Sequence, residues 1–127
     1  MSTHLEAYSD AIADLQMHQL LKAGGPLGSK QRQSILVGDY NADPADAGAN
    51  AYRTAVKAGF RNNLPRRRTC CFAEDLHSTA VQLETWIDHV LVRPKVKVLK
   101  SGIVGTKQVG GLYPSDHAGI TATLRLK

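Results

Sequence analysis

Cysteine is scarce in this sequence: two residues in 127, and the two are adjacent, Cys70-Cys71. Their Cα atoms, ~3.8 Å apart across a trans peptide, would sit closer than the usual disulfide range, so no ordinary bridge between them is expected. Two cysteines cannot complete a four-ligand zinc site, and no histidine spacing around them suggests one. They read as small buried apolar residues, with the compartment left open. Long hydrophobic runs are also missing, and none approaches the ~20 residues of a membrane span. No basic-then-apolar leader follows Met1, so no secretory signal is expected. There is no internal repeat and no low-complexity segment.

What remains is an ordinary globular composition, 43% hydrophobic and 21% charged, in a length suited to one small domain. The formal net charge is +5, which favours polyanionic partners. Apolar positions Ile12, Leu15, Leu20 and Leu21 predict a helix over about 8–23 with one buried side, with Ser9 as N-cap and Gly24-Gly25-Pro26 as the stop. A polar loop, 27–33, leads to a buried strand, Ser34-Ile35-Leu36-Val37, closed by Gly38. A second helix is expected over about 51–58, with Asn50 as cap, Gly59 just past its end, and Tyr52, Val56 and Phe60 facing the core. Residues 61–85 read as irregular around the basic cluster Arg66-Arg67-Arg68. Trp86 to Val92 reads as a second apolar strand. After Pro94, Lys95, Lys97 and Lys100 interleave with Val96, Val98 and Leu99 as in a half-exposed strand. A Gly-rich connection, 101–111, precedes a last strand over about 120–126.

Three polar interruptions fall on these strands. Asp39 and Asn41 follow the first, Asp88 lies inside the second, and Asp116 and His117 precede the last. In continued extended geometry Asp39 and Asn41 share a face, a pair suited to a phosphate, a metal or a water. The same residues before Pro44 also supply turn chemistry. A charge inside Trp86-Ile87-Asp88-His89-Val90 costs several kcal/mol unless it is paired or solvated in a cleft. A site assembled from strand ends accounts for all three interruptions together.

These stretches resemble the endonuclease/exonuclease/phosphatase superfamily, the DNase I-like hydrolases. Gly38-Asp39-Tyr40-Asn41 is similar to the family's Gly-Asp-aromatic-Asn motif, and Ile87-Asp88-His89-Val90 to its Ile-Asp-Tyr/His strand. Ser115-Asp116-His117 matches its closing Ser-Asp-His, and Thr3-His4-Leu5-Glu6 resembles its "Thr-His-Leu" strand end. In the family these motifs belong to the C-terminal half of a domain about twice as long. The resemblance therefore implies an α/β (α+β) fold, part of a four-layer α/β/β/α sandwich, with residues 1–127 as the C-terminal portion of the domain. It implies that the N-terminal half, with an early Asn and a metal-binding Glu, is missing. Neither Glu6 nor Asp43 takes that Glu's place.

By resemblance, Asp39 would orient and deprotonate the attacking water, and Asn41 would hold a phosphate oxygen. His117 would stabilise or protonate phosphoryl oxygens, with Asp88 fixing its tautomer. His4 would be a second imidazole near the phosphate, or else an uninvolved strand-end residue. Asp116, like Asp39, would sit beside the metal or its water, the family's metal being Mg²⁺ (or Mn²⁺). The implied activity is metal-dependent phosphodiester or phosphomonoester hydrolysis, with weak or no turnover by the chain alone. The basic balance tilts the substrate towards DNA or RNA. The alternatives are a non-catalytic remnant, whose open sheet face calls for a homo-oligomer or the missing half, and a basic polyanion-binding module. Arg66-Arg67-Arg68 reads as a solvated loop or a polyanion contact, Trp86 as core, and His18 and His89 as structural.

Overall fold

The protein is described by a computed structural model over residues 1–29, 32–62 and 64–127; the expected loop 27–33 lies partly outside the described residues. The elements run β1 (Ser2–His4), α1 (Asp10–Leu21), β2 (Ile35–Asp39), α2 (Asn50–Lys57), β3 (Asp88–Val92), β4 (Val96–Val104) and β5 (Gly119–Leu126). Strands β1, β2 and β3 form one sheet in that order, and β4 and β5 form a second. β1 runs parallel to β2, which pairs antiparallel with β3, and β4 and β5 make an antiparallel hairpin. The chain is thus mixed α/β, as expected. No helix among the described residues is long and apolar enough to cross a membrane.

Alternation along the strands sorts the two faces of the first sheet. Leu36 pairs with Leu91, and Gly38 with His89. Leu36 and Leu91 join Leu5, Met17, Tyr40, Ala55 and Phe60 in the core with the two helices. The opposite face carries Val37 paired with Val90, and Asp39 paired with Asp88. Because β1 and β2 are parallel, Ser2 lies opposite Val37 and His4 opposite Asp39. Three of the polar residues singled out in the sequence, His4, Asp39 and Asp88, therefore reach the same face at the same end. Gly38 makes this seam possible: its φ is +133°, and a Cβ there would stand 1.8 Å from the Thr3 carbonyl oxygen.

Both helices differ in detail from their predicted faces. Ser9 caps α1 as expected, its Oγ accepting the Ile12 N–H. The buried residues of α1, however, are Ala13 and Met17, whereas Ile12 and Leu15 are 47% and 62% exposed. In α2 the buried pair is Ala51 and Ala55, and Val56 faces out. Alanines on both buried stripes allow the short helices to sit close to one another, and Ile12, Leu15 and Val56 are left outside. Asn50 is the first helical residue, not the cap; Ala49 precedes it without a side-chain bond. Gly59 does end the helix, with φ +94°.

The expected Gly-rich connection 101–111 begins later than its composition suggested. Ser101 to Val104 belong to β4, paired with Ala122 to Gly119, because cross-strand hydrogen bonding outweighs the local weakness of Ser and Gly. Among the described residues, 61–87 carry no regular element but are pinned by isolated bridges, Arg61 to Val92 and Cys70 to both Thr85 and His117. Cys70 and Cys71 lie with their Cα atoms 3.0 Å apart and their sulfurs on the same side. Cys70 is buried and Cys71 is exposed.

Candidate active site

Strand register delivers two carboxylates side by side, and the second sheet supplies an imidazole between them. His117, two residues before β5, faces the Asp88 carboxylate with Nδ1 2.8 Å from Oδ2. Its other ring nitrogen, Nε2, lies 3.9 Å from Asp39 Oδ2. His4 Nε2 approaches the same Asp39 oxygen at 3.5 Å. With Asp88 accepting from Nδ1–H, the imidazole is held in one orientation and its Nε2 is directed to the space shared with Asp39. The side chains of Asp39, Asp88 and His117 are 15%, 21% and 24% exposed, whereas His4 is 72% exposed.

The local chain explains why Asp39 can be held this way. Asn41 takes a left-handed backbone, φ +48°, and its N–H donates to Asp39 Oδ1 at 2.7 Å. Strand geometry therefore stops at Asp39, and the turn reading of this stretch is realised in the backbone. The Asn41 side chain is tied as well, its Nδ2 donating to the Leu5 carbonyl at 2.9 Å, which leaves one amide hydrogen for another acceptor. Oδ1 of Asp39 is thus occupied by the turn, and Oδ2 is the oxygen that meets the imidazoles.

Electrostatics follow from this packing. Burial pushes the Asp39 carboxyl up, and the facing Asp88 carboxylate adds to it; the Asn41 N–H and the two imidazoles oppose the rise without cancelling it. For His117, burial is the largest single influence and disfavours the cation. The hydrogen bond and charge of Asp88, with Asp39 and Asp116 behind them, outweigh it and leave the imidazole above its ordinary range.

The structure brings together Asp39, Asp88, His117 and His4, with Asn41 at the adjoining turn. Asp116 is set differently: it is exposed, it accepts from Ser115 Oγ at 3.2 Å, and it is not a member of the ligand-atom cluster Asp39, Asp88, His117. Asp43 is spent on structure, accepting the N–H groups of Ala45 and Trp86 at 2.8 Å each. Glu6 accepts the nearby Tyr8 N–H. His89 is buried beneath the sheet, with Nε2 3.0 Å from the Ala42 carbonyl, its ring tilted against Tyr40, Tyr52 and Trp86. His18 is on the surface of α1 beside Asp14, and Trp86 is buried.

One positioning residue escaped the sequence reading. Thr69 is fully buried; its Oγ1 accepts the Asp88 N–H at 3.2 Å, and its carbonyl accepts the Ala118 N–H at 2.8 Å. It therefore ties together the two chain segments that carry Asp88 and His117. A threonine following three arginines in an irregular stretch offers no periodic signal.

A divalent cation would find oxygen donors here. Three ligand groups, from Asp39, Asp88 and His117, have atoms within 4.8 Å of one another. Asp88 Oδ2 and His117 Nδ1 already satisfy each other, so the donor left over is chiefly Asp39 Oδ2. A hard cation held by one or two carboxylates, with water in its other positions, suits that set.

Two packed sheets with acid–imidazole chemistry at a sheet end define the class. A family model described as "Endonuclease/Exonuclease/phosphatase family" matches residues 3–117, and the chain belongs to that family. Solved structures share the fold. A functionally unknown conserved protein from Enterococcus faecalis aligns with TM-score 0.75 at 22% identity, over 99% of this chain and 49% of that one. A Bacteroides thetaiotaomicron mannosyl-6-phosphatase aligns with TM-score 0.71 at 20% identity, over 98% of this chain and 50% of that one. D. rerio TDP2, complexed with a single-strand DNA product, aligns with TM-score 0.65 at 20% identity, over 98% and 55%. The chain thus spans about half the length of these structures. No curated protein sequence matches it. Hydrolases of this family act on phosphoester bonds and are generally metal-dependent.

Proposed function

We propose that residues 1–127 form the C-terminal portion of a metal-dependent phosphoesterase domain and carry part of its hydrolytic centre. The observation that supports this most directly is the Asp39···His117···Asp88 arrangement, with one imidazole oriented between two carboxylates of adjacent strands. When bound, Mg²⁺ or Mn²⁺ would polarise a phosphoryl oxygen and offset its developing charge. The cation would sit beside Asp39, with Asp116 near it or its water, and Asp39 would orient the attacking water and take its proton at Oδ2. His117, its protonated form favoured by Asp88, would donate from Nε2 to a phosphoryl oxygen as negative charge builds. His4 and the free Asn41 amide hydrogen supply further donors to that oxygen set. Proteins of like fold act on a sugar phosphate or hold a DNA product, and the basic charge of this chain favours a nucleic-acid ester.

The test is hydrolysis of plasmid DNA and bis-p-nitrophenyl phosphate with Mg²⁺ or with chelator, beside Asp39→Ala and His117→Ala. The isolated chain, which spans half the length of its relatives, is expected to turn over slowly or not at all. Any turnover is expected to need metal and to vanish in both variants. Hydrolysis that persists in chelator, or in either variant, would overturn the assignment. A second reading, a partner-dependent or polyanion-binding module without turnover, draws on the net charge of +5. It predicts oligonucleotide binding that survives His117→Ala, together with dimerisation or capture of a complementary half.

A further inference from the structure

The positive charge of this chain is not spread evenly. Residues 89–127 hold seven of the 16 Lys and Arg residues but only one of the 11 acids, Asp116. Three of those cations, Lys97, Lys100 and Arg125, lie on strands β4 and β5, and Lys95 and Lys127 flank them. Lys97 pairs directly with Arg125, and Lys100 with Thr123. Alternation on its own would send Lys97 and Lys100, three residues apart, to opposite faces. The register shift between Val98 and Lys100 inserts Leu99 as an extra residue and returns Lys100 to the face of Lys97. Along β5, Thr121, Thr123 and Arg125 are exposed while Ile120, Ala122 and Leu124 are half-buried, so the charged face is the outer one. Lys95 and Lys127 meet at the open end, where the Lys127 N–H donates to the Lys95 carbonyl at 2.9 Å.

Such a face is unfavourable in isolation. Like charges directly opposite across an antiparallel pair repel, and among the described residues no Lys or Arg of the hairpin lies within 4.0 Å of a carboxylate. A polyanion laid along the ladder would remove that repulsion. We infer that the outer face of β4–β5 is a docking surface for a nucleic-acid phosphate backbone, separate from the Asp39–Asp88–His117 centre. Lys97, Lys100 and Arg125 contact phosphates, and Thr121 and Thr123 add hydroxyl donors of the kind that hold phosphate oxygens. Strands β4 and β5 have no Trp, Tyr or Phe, so their outer face offers no platform for base stacking and no aromatic anchor for a membrane interface. It reads charge and spacing, not sequence.

Spacing sets the size of the ligand. At ~3.3 Å per residue, Thr123 and Arg125 lie ~20 and ~26 Å along the chain from His117. An ester bound at His117 that also reached the ladder would need about six to eight nucleotides, at ~3.4 Å per nucleotide. A sugar phosphate or a dinucleotide would engage one place only. The inference does not rest on catalysis, and binding in chelator separates the two.

The measurement is fluorescence anisotropy of a labelled single-stranded DNA of about 20 nucleotides, in chelator, between about 50 and 200 mM salt. Wild type would be compared with Lys97→Gln/Arg125→Gln and with Lys22→Gln at the C-terminal end of helix α1. The double variant is expected to bind at least about fivefold more weakly. Its slope of log affinity against log salt should be shallower by about 1.4, two phosphate contacts at ~0.7 each. Lys22→Gln should match wild type, and a dinucleotide should not compete. Melting temperature should hold or rise in the double variant, since a repulsive pair is removed, so that lost binding is not lost folding. Unchanged affinity and slope in the double variant would overturn the inference. So would phosphatidylserine vesicles binding through these residues while the oligonucleotide does not.

Discussion

At the residue scale, the centre depends on one imidazole facing two carboxylates. Asp88 touches His117 at Nδ1 and supplies both the hydrogen bond and the nearest negative charge that raise its pKa against burial. Replacing Asp88 by Asn keeps the volume and removes the charge. The charge of Asp88 no longer offsets burial, and the His117 pKa is expected to fall below that of wild type, read by NMR titration of the imidazole in metal-free protein. A His117 pKa unmoved in Asp88→Asn would show that the pair does not control the imidazole. The raised wild-type value also has a sign for stability: this contribution is present below the unfolded imidazole's pKa and is lost as pH rises through the folded one.

At the element scale, the three-residue strand β1 is held to β2 by backbone bonds on either side of Gly38. The Val37 N–H donates to the Met1 carbonyl and the Leu5 N–H to the Asp39 carbonyl, each at 3.0 Å. Gly38→Ala would drive a methyl into the Thr3 carbonyl at 1.8 Å and force an alanine to φ +133°. So short a strand yields before the core does. The variant is expected to lose about 1–3 kcal/mol, with β1 peeling away and His4 leaving Asp39. Hydrogen exchange should show faster Val37 and Leu5 amides with β3 unchanged. Protection equal to wild type would mean that the seam accommodates the methyl. The helices illustrate the same tertiary control: Ala13 and Ala55 are buried and Leu15 is exposed, against simple hydrophobic ranking.

For the whole molecule, the most telling titration lies away from the centre. His89 is buried among aromatic rings, and burial lowers its pKa to about 4 from the ordinary 6.5. The unfolded chain therefore binds a proton between those values that the folded chain excludes, so stability falls as pH drops through that window. The loss reaches up to about 3 kcal/mol at ~1.4 kcal/mol per unit. Urea unfolding from pH 7 to pH 4.5 should show a falling midpoint, and a midpoint flat across that range would mean His89 is protonated inside the fold. Asp39, with its raised pKa, acts in the opposite sense at the acid end and tempers the loss there.

The sequence by itself determined which polar residues interrupt the strands and the order of the elements that carry them. The polar interruptions at Asp39, Asp88 and His117 were visible because a charge inside or beside an apolar strand is costly unless it has a partner or a cleft. The cap at Ser9 and the stop at Gly59 were visible because their signals are local. Only the tertiary structure decided which carboxylate faces which, because strand register is a pairing between distant segments. It also decided the role of Thr69, the burial of alanine in place of leucine, and the bulge that returns Lys100 to the face of Lys97. Each of these depends on what lies across the gap, and a chain read one residue at a time carries no record of that.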